Sequence, residues 1–325
     1  MRVLGEDLLK RASADARADA VIHLRKALDD LGLMPEEALP ILRVLEDQGW
    51  ISRDAQGWCL TRPGWEHGRG LLRAHRIYEC YLAENTGLDP VDWHAEADRK
   101  EHMLDRETVN HLADELHRPR FDPHGDAIPT RRLVTPDREG QLLPRVDTDG
   151  FYRIQHMEDE PVHPYQQLVS AGLAPEITLE IQRLNGGRFL VRWAGMEHVL
   201  DSSQAAALIV QPCEPERIPQ LPDGNLLDTR DGEEAIIHSI SPAEHGLKRR
   251  RLLDLGFVAG SRIVREGSGA FHGPIRFRVR GTVQALRPEQ AKNVFTKKES
   301  TLIRREPVPR AGVLAKGLGK KHPPS

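Results

Sequence analysis

His94, Asp98, Glu101 and His102 recur at spacings of three and four in His94-Ala-Glu-Ala-Asp98-Arg-Lys-Glu101-His102, so a helix there sets them along one face. Two imidazoles and two carboxylates in one stripe repel and compete for water unless something positive sits among them, and a divalent cation is the natural candidate. His75-Arg-Ile-Tyr-Glu79, just upstream, repeats the pattern with one imidazole and one carboxylate four residues apart. Two helices packed side by side would then offer six nitrogen and oxygen ligands to one or two ions. The plain alternative is a solvated charged face. The recurrence of a His/carboxylate pair on both neighbouring segments favours metal.

Those residues need long helices to position them, and the chain supplies them in the middle. Gly64 to about Leu116 reads as helical, beginning with Trp65 to Tyr81, and Leu88-Asp-Pro-Val-Asp-Trp93 separates the two ligand helices. The helical part ends near Arg118-Pro-Arg-Phe-Asp-Pro-His-Gly-Asp-Ala-Ile-Pro129, a turn-rich stretch. Ahead of it, helices are expected over Glu6 to Ala20, over His23 to Leu31 and up to Gln48. A hairpin over Trp50 to Thr61, turning at Asp54-Ala-Gln-Gly57, follows them. Three helices and such a hairpin suggest a winged helix-turn-helix.

Beyond the helices the chain is strand-like and repeats itself. Tyr152-Arg-Ile-Gln-His156 followed by Gln167-Leu-Val-Ser-Ala-Gly-Leu-Ala-Pro175 resembles Glu234-Ala-Ile-Ile-His238 followed by Arg251-Leu-Leu-Asp-Leu-Gly-Phe-Val-Ala259. Each copy continues into alternating strands, Arg188 to Trp193 and Ile275 to Arg280, and closes in a short turn, Ser203-Gln-Ala-Ala-Ala and Pro288-Glu-Gln-Ala. Two tandem small β-barrels fit this spacing. The expected class is α+β and multidomain: a winged helix over 1–66, metal-binding and dimerisation helices over 67–130, barrels over 142–212 and 224–297, and a disordered basic tail over 298–325. Pro212 to Pro222 reads as the linker between the barrels.

Composition narrows the function. The 325 residues carry a formal net charge of -3, so no global positive field advertises nucleic-acid binding. Cys59, Cys80 and Cys213 are scattered without a paired motif, which excludes a disulfide framework and a thiolate zinc site. No apolar run approaches about 18 residues, and the start, Met1-Arg-Val-Leu-Gly-Glu, lacks the apolar stretch of a signal peptide. A cytoplasmic protein without membrane insertion is expected. No nucleophile-base pair, phosphate loop or HExxH motif speaks for an enzyme.

The order of parts, winged helix, ligand helices and small barrels, resembles the diphtheria toxin repressor (DtxR) family of metal-dependent regulators, its manganese-sensing branch most. The motif resemblance spans about residues 64 to 129, through His75-Arg-Ile-Tyr-Glu79, the His94 to His102 stripe and Asp122-Pro-His-Gly-Asp-Ala-Ile-Pro129. It implies ligand roles for His75, Glu79, His94, Asp98, Glu101 and His102, and for Asp7 on the first helix. Asp98 and Asp7 stand where iron-sensing members have a cysteine and a methionine. Lys10 stands where the manganese branch adds a carboxylate. Hard oxygens with imidazoles suit Mn2+ or Fe2+, though other divalent transition metals would bind as well. The second barrel, Leu226 to about Thr296, resembles the FeoA domain through Arg251-Leu-Leu-Asp-Leu-Gly256, and the first looks like a divergent, SH3-like copy. Some members lend a weak ligand from that domain. Glu160 lies near the matching loop, with an exposed acidic turn, Glu158-Asp-Glu160, as the plainer reading.

Whether the winged helix reads DNA is a separate question. Its candidate recognition helix opens Met34-Pro-Glu-Glu-Ala-Leu-Pro40, with two carboxylates where phosphates would lie. Residues 1–75 hold eleven Lys or Arg against twelve Asp or Glu, whereas counterion release wants an excess of positive charge. Arg43, Arg53 and Arg62 are the candidate DNA contacts, with Arg69 and Arg73 as further phosphate partners. Two functions therefore stand. In one, metal tightens a homodimer that binds double-stranded operator DNA and represses metal-uptake genes. In the other, the chain senses metal and acts on a permease or another protein, with the FeoA-like barrel as a possible contact.

Overall fold

A computed structural model describes residues 2–14, 21–213, 222–269 and 273–297. The tail expected over 298–325 and most of the expected linker lie outside the described residues. Helices α1 (Arg2–Ser13), α2 (Arg25–Asp30) and α3 (Pro35–Asp47) precede a two-stranded antiparallel ribbon, β1 (Ile51–Asp54) and β2 (Gly57–Leu60), as the winged-helix reading requires. Leu8, Leu9, Leu24, Ile41, Leu42, Leu45 and Ile51 form their shared core. Asp54 Oδ1 accepts from the amides of Gln56 and Gly57, which closes the tip of the ribbon.

Helix α4 (Arg62–Asn85) is longer at both ends than the expected Trp65 to Tyr81. The Thr61 hydroxyl caps it by accepting from Gly64 N, and Pro63 in the first turn gives up no helical hydrogen bond, so the helix starts before Gly64. It runs without a break through residues 66 and 67 and ties the winged helix to the helices that follow. A Cβ on Gly68 would lie 2.3 Å from Leu9 O, so glycine there is what allows α1 and α4 to meet backbone to backbone. Helices α5 (Trp93–Glu101) and α6 (Arg106–Glu115) complete this part, with Ile77, Cys80, Val109 and Ala113 packed between α4 and α6.

The expected repeat appears as two six-stranded sheets with one strand order. The first contains β3 (Gln141–Leu142), β4 (Gly150–Met157), β5 (Thr178–Arg183), β6 (Phe189–Trp193), β7 (Met196–Leu200) and β8 (Leu208–Pro212), in the order β3-β8-β4-β5-β6-β7. Helices α7 (Val162–Ser170) and α8 (Ser202–Ala206) interrupt it. The second contains β9 (Gly224–Asn225), β10 (Glu234–Ile240), β11 (Arg262–Ser268), β12 (Ile275–Val279), β13 (Thr282–Leu286) and β14 (Val294–Lys297), with α9 (Gly246–Asp254) and α10 (Pro288–Ala291). Its order, β9-β14-β10-β11-β12-β13 read from the matching edge, places each strand as its counterpart. β4 and β10 each carry an irregularity where they pair with the closing strand, β8 or β14.

Hydrogen bonds and ring contacts join both sheets to the helices. Met157 N, at the end of β4, donates to His124 O at 2.9 Å. Leu247 N in α9 donates to Thr86 O at the end of α4, and the His245 ring meets Trp93 edge-on at 5.1 Å between centroids. Trp93 itself is 1% exposed and lies 6.0 Å from the His124 ring. Among the described residues, no helix is long and apolar enough to cross a membrane.

Candidate metal centre

Helix periodicity brings the ligand candidates together as the sequence spacing implies. α4 presents His75 and Glu79 one turn apart, and α5 presents His94, Asp98 and Glu101, with His102 as its C-cap residue. α1 crosses the end of α5 and brings Glu6, Asp7 and Lys10 to the same region.

Two loci result. The first centres on Glu79, whose Oε1 lies 3.1 Å from His75 Nε2 and 3.6 Å from both His94 Nδ1 and His124 Nδ1. Asp159 Oδ2 closes it, 2.9 Å from His94 Nδ1 and 3.8 Å from His124 Nδ1. The second gathers Asp7, Glu101 and His102: His102 Nε2 is 3.2 Å from Asp7 Oδ1 and 3.7 Å from Glu101 Oε1. His102 Nδ1 hydrogen-bonds Glu6 Oε2 at 2.7 Å. Between the loci, Asp98 and Glu101 share the Lys10 ammonium, and His75 Nδ1 meets Glu101 Oε2 at 2.7 Å. That hydrogen bond leaves His75 Nε2 turned toward Glu79, the arrangement that orients an imidazole as a ligand.

His124, Asp159 and Glu6 join the expected set. His124 sits in the Asp122-Pro-His-Gly motif, where Asp122 Oδ1 accepts from the amides of His124 and Asp126 and Arg76 pairs with both aspartates. Of the acidic turn after β4, Asp159 points inward. Glu160 is 61% exposed and reaches only to 3.7 Å from His94 Nε2. Arg69 and Arg73 are corrected as phosphate contacts. Both are buried, Arg69 donating to Ala14 O and Arg73 to Pro129 O, because α4 is covered on these faces by α1 and by the segment after α6. Arg43, Arg53 and Arg62 stay on the surface, Arg53 over the Trp58 ring and Arg62 paired with Glu66.

The first locus is electrostatically polarised. Burial alone would raise the Glu79 carboxyl, but the His75 and His124 imidazoles hold it well below the usual carboxylate range. Burial likewise opposes the imidazolium of His94, yet Asp159 and Glu79 push its pKa up to about 10, and Glu79 with Asp122 and Asp159 raises His124 to about 9 against the same desolvation. Protons thus take the place of a cation here at neutral pH. In ion-free protein these raised values favour the folded state fully below the ordinary histidine value, and that contribution is lost as pH rises through about 9 to 10. Ligation by His94 and His124 requires those protons to leave. His75 must lose a proton as well, since Glu79, Asp98 and Glu101 hold it well above its ordinary value against burial, so manganese binding at pH 7 is expected to release about three protons per ion and to tighten as pH rises. Calorimetry in buffers of different ionisation enthalpy reads this directly, and a proton-neutral, pH-independent affinity contradicts it.

The donor set itself suits a divalent ion. Three imidazole nitrogens and two carboxylates converge, the atoms of each cluster lying within 4.8 Å of one another. Among the described residues the ion-pair partners of Glu79 and Asp159 are all histidines. His124 turns Nδ1 toward Glu79 and Asp159, while its buried Nε2 has no hydrogen-bond partner among the described residues. Imidazoles with carboxylates and no thiolate match Mn2+ or Fe2+ better than softer ions.

Residues 61–130 match the family described as "Iron dependent repressor, metal binding and dimerisation domain", and residues 225–298 match the FeoA domain. A "Probable metal transport system membrane protein" of Chlamydia trachomatis is 34% identical over 84 residues, 26% of this chain and 19% of that protein. The chain thus spans about a fifth of that relative's length. The "HTH-type transcriptional regulator MntR" of Listeria innocua is 23% identical over 134 residues, 41% of this chain and 92% of the relative. The solved structure "Manganese-dependent transcriptional repressor complex with manganese" shares the fold with a TM-score of 0.56 at 22% identity, over 64% of this chain and all of that one.

Proposed function

We propose, on the premise that this chain carries a metal-binding and dimerisation domain of the iron-dependent-repressor family and a FeoA domain, that it is a manganese- or iron-dependent transcriptional regulator of metal uptake. The observation that carries the reading is convergence: donors from α4, α5, the His124 loop and the turn after β4 meet around the buried Glu79. A bound divalent ion would supply the positive charge that lets these carboxylates and neutral imidazoles pack together. The chain's own residues transmit the effect. Asp159 and the Met157 to His124 hydrogen bond draw the first sheet onto the helices, while Glu6, Asp7 and Lys10 anchor α1 of the winged helix to α5. The kinship with the Listeria regulator and the shared fold of the manganese-dependent repressor support a homodimer that places two winged helices on operator DNA, with Arg43, Arg53 and Arg62 toward phosphates.

Selection of genomic fragments by the full chain with Mn2+ tests this. Enrichment of a palindromic site, with binding lost on chelation, is the expected outcome. No specific fragment under those conditions contradicts DNA reading and favours the second function.

One observation favours that second function. The exposed face of α3 and its cap carries Met34, Leu39 and Val44 beside Glu36, Glu37, Glu46 and Asp47, with Arg43 as its cation. Such a face suits a protein surface better than a phosphate backbone. In this reading the chain senses metal and reports to a protein partner, such as the membrane component of a metal transporter.

A further inference from the structure

The second locus holds a cation of the protein's own. Lys10 extends from α1, three residues after Asp7 and four after Glu6, so all three side chains leave the helix on one face. Its Nζ lies 2.8 Å from Asp98 Oδ1, 2.7 Å from Glu101 Oε1 and 2.8 Å from Glu101 Oε2. The Lys10 side chain is 18% exposed and that of Glu101 fully buried. The ammonium therefore occupies the space that an ion shared by Asp98 and Glu101 would need.

We propose that Lys10 is a built-in counter-cation: the Asp7, Asp98, Glu101 and His102 locus is neutralised from within and takes no metal. The chain then binds a single divalent ion, at Glu79, Asp159, His75, His94 and His124. This rests on the metal-dependent reading above and fixes its stoichiometry.

The two loci differ in what faces their carboxylates. Around Glu79 and Asp159 the partners are imidazoles, which turn from cation to ligand by releasing a proton. Asp98 and Glu101 also face imidazoles, His75 Nδ1 at 3.2 and 2.7 Å and, for Asp98, His94 Nε2 at 3.4 Å, but the ammonium stands among them, with three donors and no lone pair to offer a metal. An incoming ion would meet the repulsion of that charge or have to drive the side chain out of its two-carboxylate clasp. His102 does not distinguish the loci: like His75, it holds one nitrogen on a carboxylate, Glu6 at 2.7 Å, and turns the other toward a second, Asp7 at 3.2 Å. The gain from the substitution is mechanical. The α1 to α5 clasp persists without metal, so the winged helix stays docked on that side and metal control passes through the first locus alone.

The test is ion counting on the full chain with Mn2+ alone, by native mass spectrometry and calorimetry. Wild type is expected to bind one ion per chain. Lys10→Glu, which removes the ammonium and adds a carboxylate, is expected to bind two, and Lys10→Met to bind a second more weakly. Glu79→Gln in the wild-type background is expected to bind none with high affinity, a readout that needs no change at Lys10. Two ions in wild type, one tight ion remaining in Glu79→Gln, or one ion in a Lys10→Glu protein whose melting is cooperative would each overturn the assignment while leaving metal dependence standing. A wild-type chain that binds no Mn2+ sinks the metal-dependent reading, and this inference falls with it.

Discussion

Glu79→Gln is expected to lower Mn2+ or Fe2+ affinity by at least about 100-fold, roughly 2.7 kcal/mol. Glu79 is 1% exposed and its Oε1 faces three imidazoles, so it is the one group common to both metal-ligand clusters of the first locus. Glutamine keeps the volume and an acceptor oxygen but removes the charge. The carboxylate is also what holds His75, His124 and, with Asp159, His94 protonated in ion-free protein. In the variant those histidines therefore shed their protons at lower pH, and the pH dependence of any residual binding should flatten. Calorimetry with Mn2+ measures the affinity and a thermal melt shows that the fold survives. Wild-type affinity in a folded Glu79→Gln protein removes the locus.

Gly125→Val is expected to undock the first sheet from the helices. Gly125 has φ +93, a conformation that β-branched residues avoid, and a Cβ there would stand 2.0 Å from Gln155 O in β4. The backbone cannot yield cheaply, because its neighbour His124 accepts from Met157 N and Asp122 fixes the turn from the other side. Strain and a broken interface together are expected to cost about 2–4 kcal/mol. The separation also carries Asp159 away from His94, so metal affinity should fall about tenfold or more. Scanning calorimetry would show a lowered or split transition. An unchanged melt together with unchanged Mn2+ affinity contradicts the role given to this contact.

Much of this site is written in local spacing. His75 and Glu79, and His94 through His102, are neighbours on their own helices, so a period of 3.6 residues is enough to place them. The sheets were legible for a similar reason: a repeated run of strand, helix and paired strands implies a repeated strand order, and both sheets have it. What local spacing does not carry is which distant turns fold onto the helices. His124 stood inside a motif and Asp159 inside an acidic turn, but only the docking of β4 against the His124 loop aims them at Glu79. Glu160 is 61% exposed, as the plainer reading of that acidic turn expects, and its neighbour Asp159 is the one that turns inward. Arg69 and Arg73 misled for the converse reason. On a helix covered on several sides, an arginine can be buried if carbonyl oxygens receive its guanidinium, and Ala14 O and Pro129 O do so here. Lys10 was conspicuous by type, but its partners on α5 are 88 and 91 residues away in sequence.

The most direct test of the account is the position of the metal itself. Anomalous diffraction at the manganese edge, from crystals of the full chain grown with Mn2+, should show one peak per chain among Glu79, Asp159, His75, His94 and His124. Lys10 should remain on Asp98 and Glu101. A peak held by Asp7, Asp98, Glu101 and His102, with or without one at the first locus, or no ordered ion in either, would contradict it.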